Sequence, residues 1–153
     1  MISQRARYAL NALLALTRAN GPLMVGEIAA SERIPRKFLE QILLELKRHG
    51  IVQSRRGRHG GYDLLMAADR ITFGQVLRII DGPLAPLPCL SRVAYRPCTD
   101  CIDEESCEVR RVFARVTDQM RAILDRTTIA DALAIPPVDT IKGARRSLGN
   151  ALS

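Results

Sequence analysis

The stretch from Ser31 to Leu65 leaves few folds open, because it reads as a helix, a short strand, a glycine-rich basic turn and a second strand. Pro35 suits the first turn of a helix, where its missing N–H and fixed φ do no harm, and Gly50 suits the position just past a helix end. The spacing predicts a helix over residues 35–49. Phe38, Leu39, Ile42, Leu43 and Leu46 fall on its packing face, and Arg36, Lys37, Glu40, Gln41, Lys47 and Arg48 on the other. After Gly50, Ile51-Val52-Gln53-Ser54 has β-like composition, Arg55-Arg56-Gly57-Arg58-His59-Gly60-Gly61 is a turn, and Tyr62-Asp63-Leu64-Leu65 resumes the apolar pattern. The expected result is a β-hairpin with a cationic tip.

An amphipathic helix with a basic outer face is, taken alone, most often just a solvated helix. The hairpin shifts that balance. Its turn carries Arg55, Arg56, Arg58 and His59, three glycines and no carboxylate, so backbone and guanidinium groups are free to approach phosphate or a minor groove. Charge follows the same division. Residues 1–80 hold 13 Lys/Arg against 6 Asp/Glu, whereas residues 81–135 hold 7 against 9, which places the nucleic-acid function in the first half. With 4% aromatic residues and no Trp, the composition argues against stacking platforms for single strands and favours double-stranded DNA.

The 153 residues suffice for one well-buried domain with an extension. Ser3 caps a predicted first helix reaching Ala19, ended by Asn20-Gly21-Pro22. Leu23–Val25 is a candidate short strand, and residues 25–32 form a short helix before the 35–49 helix. Two helices joined by a tight turn and followed by the hairpin make a winged helix-turn-helix. Residues 71–80 form another amphipathic helix, with Thr72 as its cap. From about Glu104 a helix of some twenty residues carries Val109, Val112, Phe113, Val116, Met120, Ile123 and Leu124 at helical spacing. Such a stripe, following a domain already complete, points to a symmetric dimer over packing on its own domain. The fold class is thus mainly α with a small β wing. Its expected parts are a DNA-binding domain over 1–82, a linker and cysteine-rich loop over 83–103, a dimerisation helix and short C-terminal helix over 104–135, and a flexible tail over 136–153. No apolar run long enough to span a membrane and no signal pattern occur, so a cytoplasmic protein is expected. A nucleotide-binding glycine motif and a catalytic His/Asp constellation are lacking, which argues against an enzyme.

All four cysteines, Cys89, Cys98, Cys101 and Cys107, lie in one short segment. In a reducing compartment such clustering argues for metal or redox chemistry. Cys98 and Cys101 have the reach of a metal knuckle, and Cys107 sits where a helix N-terminus stabilises thiolate charge. Four-thiolate zinc and an iron–sulfur cluster both fit, and spacing does not separate them. Buried free cysteines, the bland alternative, suit a polar, proline-bounded segment poorly.

Several motifs together resemble the IscR/NsrR/RirA-type (Rrf-two) family of bacterial winged-helix repressors. They are Arg7-Tyr8-Ala9-Leu10, Phe38-Leu39-Glu40-Gln41-Ile42-Leu43, the wing Arg55–Tyr62, the Cys101-x5-Cys107 spacing and Leu124-Asp125-Arg126-Thr127-Thr128-Ile129-Ala130-Asp131. The resemblance covers about residues 1–135. It implies a homodimer on a palindromic operator, with the second helix of the motif in the major groove and the wing in the minor groove. It further implies control by an iron–sulfur cluster (4Fe–4S or 2Fe–2S), with zinc as the alternative. Two features depart from the family. Arg110 stands where some members place a histidine ligand, and no carboxylate precedes Glu27 to serve from the first helix. An all-thiolate site of Cys89, Cys98, Cys101 and Cys107 answers both, although either Cys89 or Cys98 can be a bystander. Relatives that sense thiol oxidation or sulfur metabolites without a cluster supply the runner-up. The expected DNA contacts are Arg36, Lys37, Glu40, Gln41, Arg55, Arg56, Arg58 and His59, with Glu40 accepting from cytosine N4 and Gln41 addressing adenine or phosphate.

Overall fold

The computed structural model describes residues 2–138; the expected tail, beyond 138, lies outside the described residues. The chain opens with α1 (Gln4–Ala19), capped as expected by the Ser3 hydroxyl, which accepts from the Ala6 N–H at 3.0 Å. Asn20 ends it in the left-handed conformation. One side of α1 buries Ala6, Ala9, Ala12, Leu13 and Leu16, and its alanines let neighbouring helices approach closely. α2 (Val25–Ser31) and α3 (Arg36–Arg48) form the helix-turn-helix. The turn between them places Arg33 at φ +53° and buries Ile34. Leu39, Ile42, Leu43 and Leu46 anchor α3 in the core. Pro35 is the residue before the helix, one position earlier than a first-turn proline. Phe38 departs from the sequence expectation: it is 56% exposed, because it stands about 100° round the helix from Leu39, on the flank of the arc that Leu39, Ile42, Leu43 and Leu46 bury.

Gly50, at φ +71°, turns the chain into an antiparallel hairpin of β1 (Val52–Arg55) and β2 (Gly61–Leu64), in which Val52 pairs with Leu64 and Arg55 with Gly61. The candidate strand near Leu23 reduces to a single bridge. Leu23 and Tyr62 exchange backbone hydrogen bonds of 2.9 and 2.8 Å, which dock the wing on the body. α4 (Phe73–Asp81) follows, capped by Thr72, whose hydroxyl accepts from the Gln75 N–H at 3.1 Å.

A loop containing one 3-10 turn (Pro88–Leu90) leads to α5 (Glu108–Arg126), and the chain returns through α6 (Ile129–Ala134). The long helix begins at Glu108, four residues later than Glu104. The Asp103 carboxylate captures the N–H groups of Glu105 and Ser106, and that local turn competes with helix. α5 leans on α4 through an Arg78–Asp125 ion pair of 2.6 Å and a close approach at Gly74, where a Cβ would strike the Asp125 carboxylate. α6 is built into the core of the amino-terminal helices. Ile129 is fully buried, its N–H donates to the Ile71 carbonyl at 2.9 Å, and the Ala130 N–H donates to Ala68 at 3.2 Å. Among the described residues no helix is long and apolar enough to cross a membrane.

Candidate nucleic-acid interface and thiol site

All eight expected DNA contacts are exposed, on two adjoining elements. On α3, Arg36 and Glu40 form an i,i+4 ion pair of 2.9 Å, so each arrives at a ligand partly satisfied by the other. Exposed pairs of this kind are worth little and open readily. Lys37 and Gln41 lie further out on the same face. On the wing, Arg55 is drawn back to its root by Asp63 at 3.1 Å, whereas among the described residues Arg56, Arg58 and His59 at the tip form no salt bridge. Gly57, at φ +105°, and Gly60, where a Cβ would stand 3.0 Å from the Gly57 oxygen and closer to the Arg55 oxygen, permit the tight tip. The Lys47 ammonium donates to the Ser54 hydroxyl at 2.6 Å and ties the helix to the wing. Sequence reasoning missed this tie, because Lys47 reads simply as a solvated charge. It also missed Arg33 and Phe38, both exposed beside the start of α3.

The second site is a cavity of about 400 Å³ whose lining includes all four cysteines together with Leu87, Arg96 and Arg110. Cys89, nearly buried, lies in the 3-10 turn, and the Arg121 guanidinium donates to the Leu90 carbonyl at 3.1 Å, fastening that turn to α5. Cys107 is the N-cap of α5, its sulfur accepting from the Arg110 N–H at 3.4 Å. The Cys101 and Cys107 sulfurs stand 3.8 Å apart. Hydrogen bonds shared with Cys98 and then Cys107, followed by partial burial, push the Cys101 thiol up to about 12. One sulfur thus lies between two others, and stripping its proton would set like charges side by side.

Three polar side chains close one end of the loop. The Tyr95 hydroxyl donates to Glu104 at 2.8 Å, which raises the phenol above its ordinary range. Glu104 also faces the Arg110 guanidinium at 3.7 Å, too long for a hydrogen bond, and the Arg110 Nε is buried without an acceptor. An orphaned donor beside a sulfur-lined cavity suits an anionic occupant. Among the described residues no three His, Cys, Asp or Glu side chains already surround one point as ligands. The donor set nevertheless fits a thiophilic metal or cluster: four cysteines line one cavity, and the Cys101 and Cys107 sulfurs are already adjacent.

On α5, Val109, Val112, Phe113, Val116 and Ile123 are exposed and form one apolar stripe; among its described residues only Thr117 is buried.

Residues 2–135 match the family model described as "Rrf2: Iron-dependent Transcriptional regulator". The chain is 49% identical over 139 residues to an Rrf2-like HTH-type transcriptional regulator of Rhodobacter capsulatus, covering 88% of this chain and 93% of the relative. It is 33% identical over 132 residues to the transcriptional regulator CymR of Bacillus subtilis, covering 85% and 87%. The solved structure of CymR, the global cysteine regulator of that organism, superposes with a TM-score of 0.74 at 29% identity over 90% of this chain and 98% of CymR. The regulator IscR of an Enterobacter species is 26% identical over 95% of this chain and 87% of its own.

Proposed function

Because the chain belongs to the Rrf2 family of transcriptional regulators, we propose that it is a homodimeric repressor that senses iron, redox state or nitric oxide through an iron–sulfur cluster on its cysteines. The observation that carries this reading is the meeting of Cys89, Cys98, Cys101 and Cys107 on one cavity beside the orphaned Arg110 Nε. These four thiols would hold the cluster, which when bound supplies one-electron chemistry and sensitivity to oxygen and nitric oxide. The remaining steps belong to the chain. Residues 89–107 are ordered when their thiolates are held together, and Cys107 then keeps its place as the cap of α5. Release of the thiolates loosens the loop and the first turn of α5, and this resets the separation of two DNA-reading heads paired through the α5 stripe.

In the operator complex α3 occupies the major groove, with Glu40 accepting from cytosine N4 and Gln41 addressing adenine or phosphate. Arg36 and Lys37 hold the backbone, and Arg55, Arg56, Arg58 and His59 bring the wing to the backbone and minor groove.

The test is the iron, sulfide and zinc content and absorption spectrum of protein purified without oxygen, with operator binding followed before and after air or nitric oxide. Iron, sulfide and a changed operator affinity support the reading; equal affinity of loaded and stripped protein overturns the switching mechanism. One zinc per chain with redox-insensitive binding makes the cysteines structural. Likeness to CymR, together with the 3.8 Å Cys101–Cys107 separation, favours a second reading, a thiol sensor without a cluster, which metal-free protein with oxidant-sensitive binding would establish.

A further inference from the structure

The flanks of α3 are already taken. Glu45 is ion-paired to Arg5 of α1 on one side, and Lys47 is bonded to Ser54 of the wing on the other. Between those flanks, opposite the buried Leu39, Ile42, Leu43 and Leu46, runs the row Lys37, Gln41, Leu44 and Arg48, at i, i+4, i+7 and i+11. This row is the ridge furthest from the core. Leu44 lies within it and is 43% exposed. Single exposed leucines are ordinary on protein surfaces. Here, however, the neighbours along the ridge are two cations and an amide, groups matched to phosphates and base edges, so whatever they meet Leu44 meets too.

In the major groove the apolar group that base pairs present is the C5-methyl of thymine. We propose that Leu44 is a specificity-determining residue that packs on a thymine C5-methyl, one base step from the pair addressed by Gln41. The rise from Gln41 to Leu44 is about 4.5 Å, little more than one base step of about 3.4 Å. The inference rests on the reading that α3 lies in the major groove.

The experiment uses the full-length protein and a duplex selected from randomised DNA, in which each thymine is replaced singly by deoxyuridine, a change that removes one methyl and nothing else. At one thymine per half-site the replacement should weaken wild-type binding about fourfold, the value of one buried carbon. Leu44→Ala should bind the thymine duplex more weakly and show no preference for thymine over uracil at that position, whereas Leu44→Met should keep the preference. Wild-type protein indifferent to uracil at every position, or a Leu44→Ala protein that retains the full preference, overturns the inference alone. A selection that returns no preferred sequence overturns the groove reading beneath it.

Discussion

Replacing Gly61 by alanine should loosen the wing from the body of the protein far more than the same change at Gly57. Both glycines have positive φ, +120° and +105°, where a side chain costs about 1–3 kcal/mol. Their surroundings differ. Nothing lies within 4 Å of a Cβ built on Gly57, whereas on Gly61 it would stand 2.6 Å from the Leu23 carbonyl carbon and 2.9 Å from the Met24 nitrogen. Carbon contacts settle at about 3.5 Å or beyond, so Leu23 must retreat by roughly 0.9 Å. That displacement breaks the 2.9 and 2.8 Å hydrogen bonds between Leu23 and Tyr62. At about 0.5–1.5 kcal/mol each, their loss makes Gly61→Ala about 1–3 kcal/mol more destabilising than Gly57→Ala. In a chain of this size the melting temperatures should then differ by roughly 3–9 °C. Urea titration followed by far-ultraviolet circular dichroism, at one fixed protein concentration, measures the difference directly. Equal destabilisation by the two substitutions would refute the argument that Leu23 clamps the wing.

Ile129→Ala should cost about 2–5 kcal/mol, the range for a fully buried aliphatic side chain, and urea titration would show it. Arg56→Ala should weaken operator binding and lower the salt slope by about 1, while Glu40→Ala should relax base preference more than affinity; fluorescence anisotropy at several salt concentrations checks both. In metal-free protein at pH 8.5, iodoacetamide should modify the exposed Cys98 well before Cys101, which mass spectrometry resolves. The Cys101 pKa is raised in the folded state, so the stability it contributes is complete below pH 9 and is lost as pH rises from 9 towards 12.

Where local chemistry decides the structure, the sequence was a good guide. Ser3 and Thr72 cap their helices as the side-chain rule requires, Gly50 turns at positive φ, and the basic turn becomes the wing tip. The family resemblance, read from Arg7–Leu10, Phe38–Leu43, the wing, the Cys101–Cys107 spacing and Leu124–Asp131, is met by the match over residues 2–135. The failures have physical reasons. Helical period put Phe38 with the core, but period does not fix how wide the buried arc is, and Phe38 lies on the flank of the arc that Leu39, Ile42, Leu43 and Leu46 bury. Glu104 was the expected start of the long helix, but the Asp103 side chain takes the N–H groups of Glu105 and Ser106. An Asp followed three residues on by Ser was the available signal. The cysteine spacing named the four thiols, yet their shared cavity and the Arg110 Nε left without a hydrogen-bond acceptor depend on how the loop folds back on α5. The burial of Ile129 is likewise a tertiary fact, because six residues are too few for a period to announce a core contact.

That burial bears on modularity. With α6 completing the hydrophobic centre laid down by α1, α3 and α4, the DNA-reading body is assembled from both ends of the described chain, and the thiol-bearing loop with α5 is spliced between them. Cutting the chain after residue 82 would therefore not free an autonomous DNA-binding module. The same layout would let the inserted stretch vary in length while the body it interrupts keeps its own hydrophobic centre.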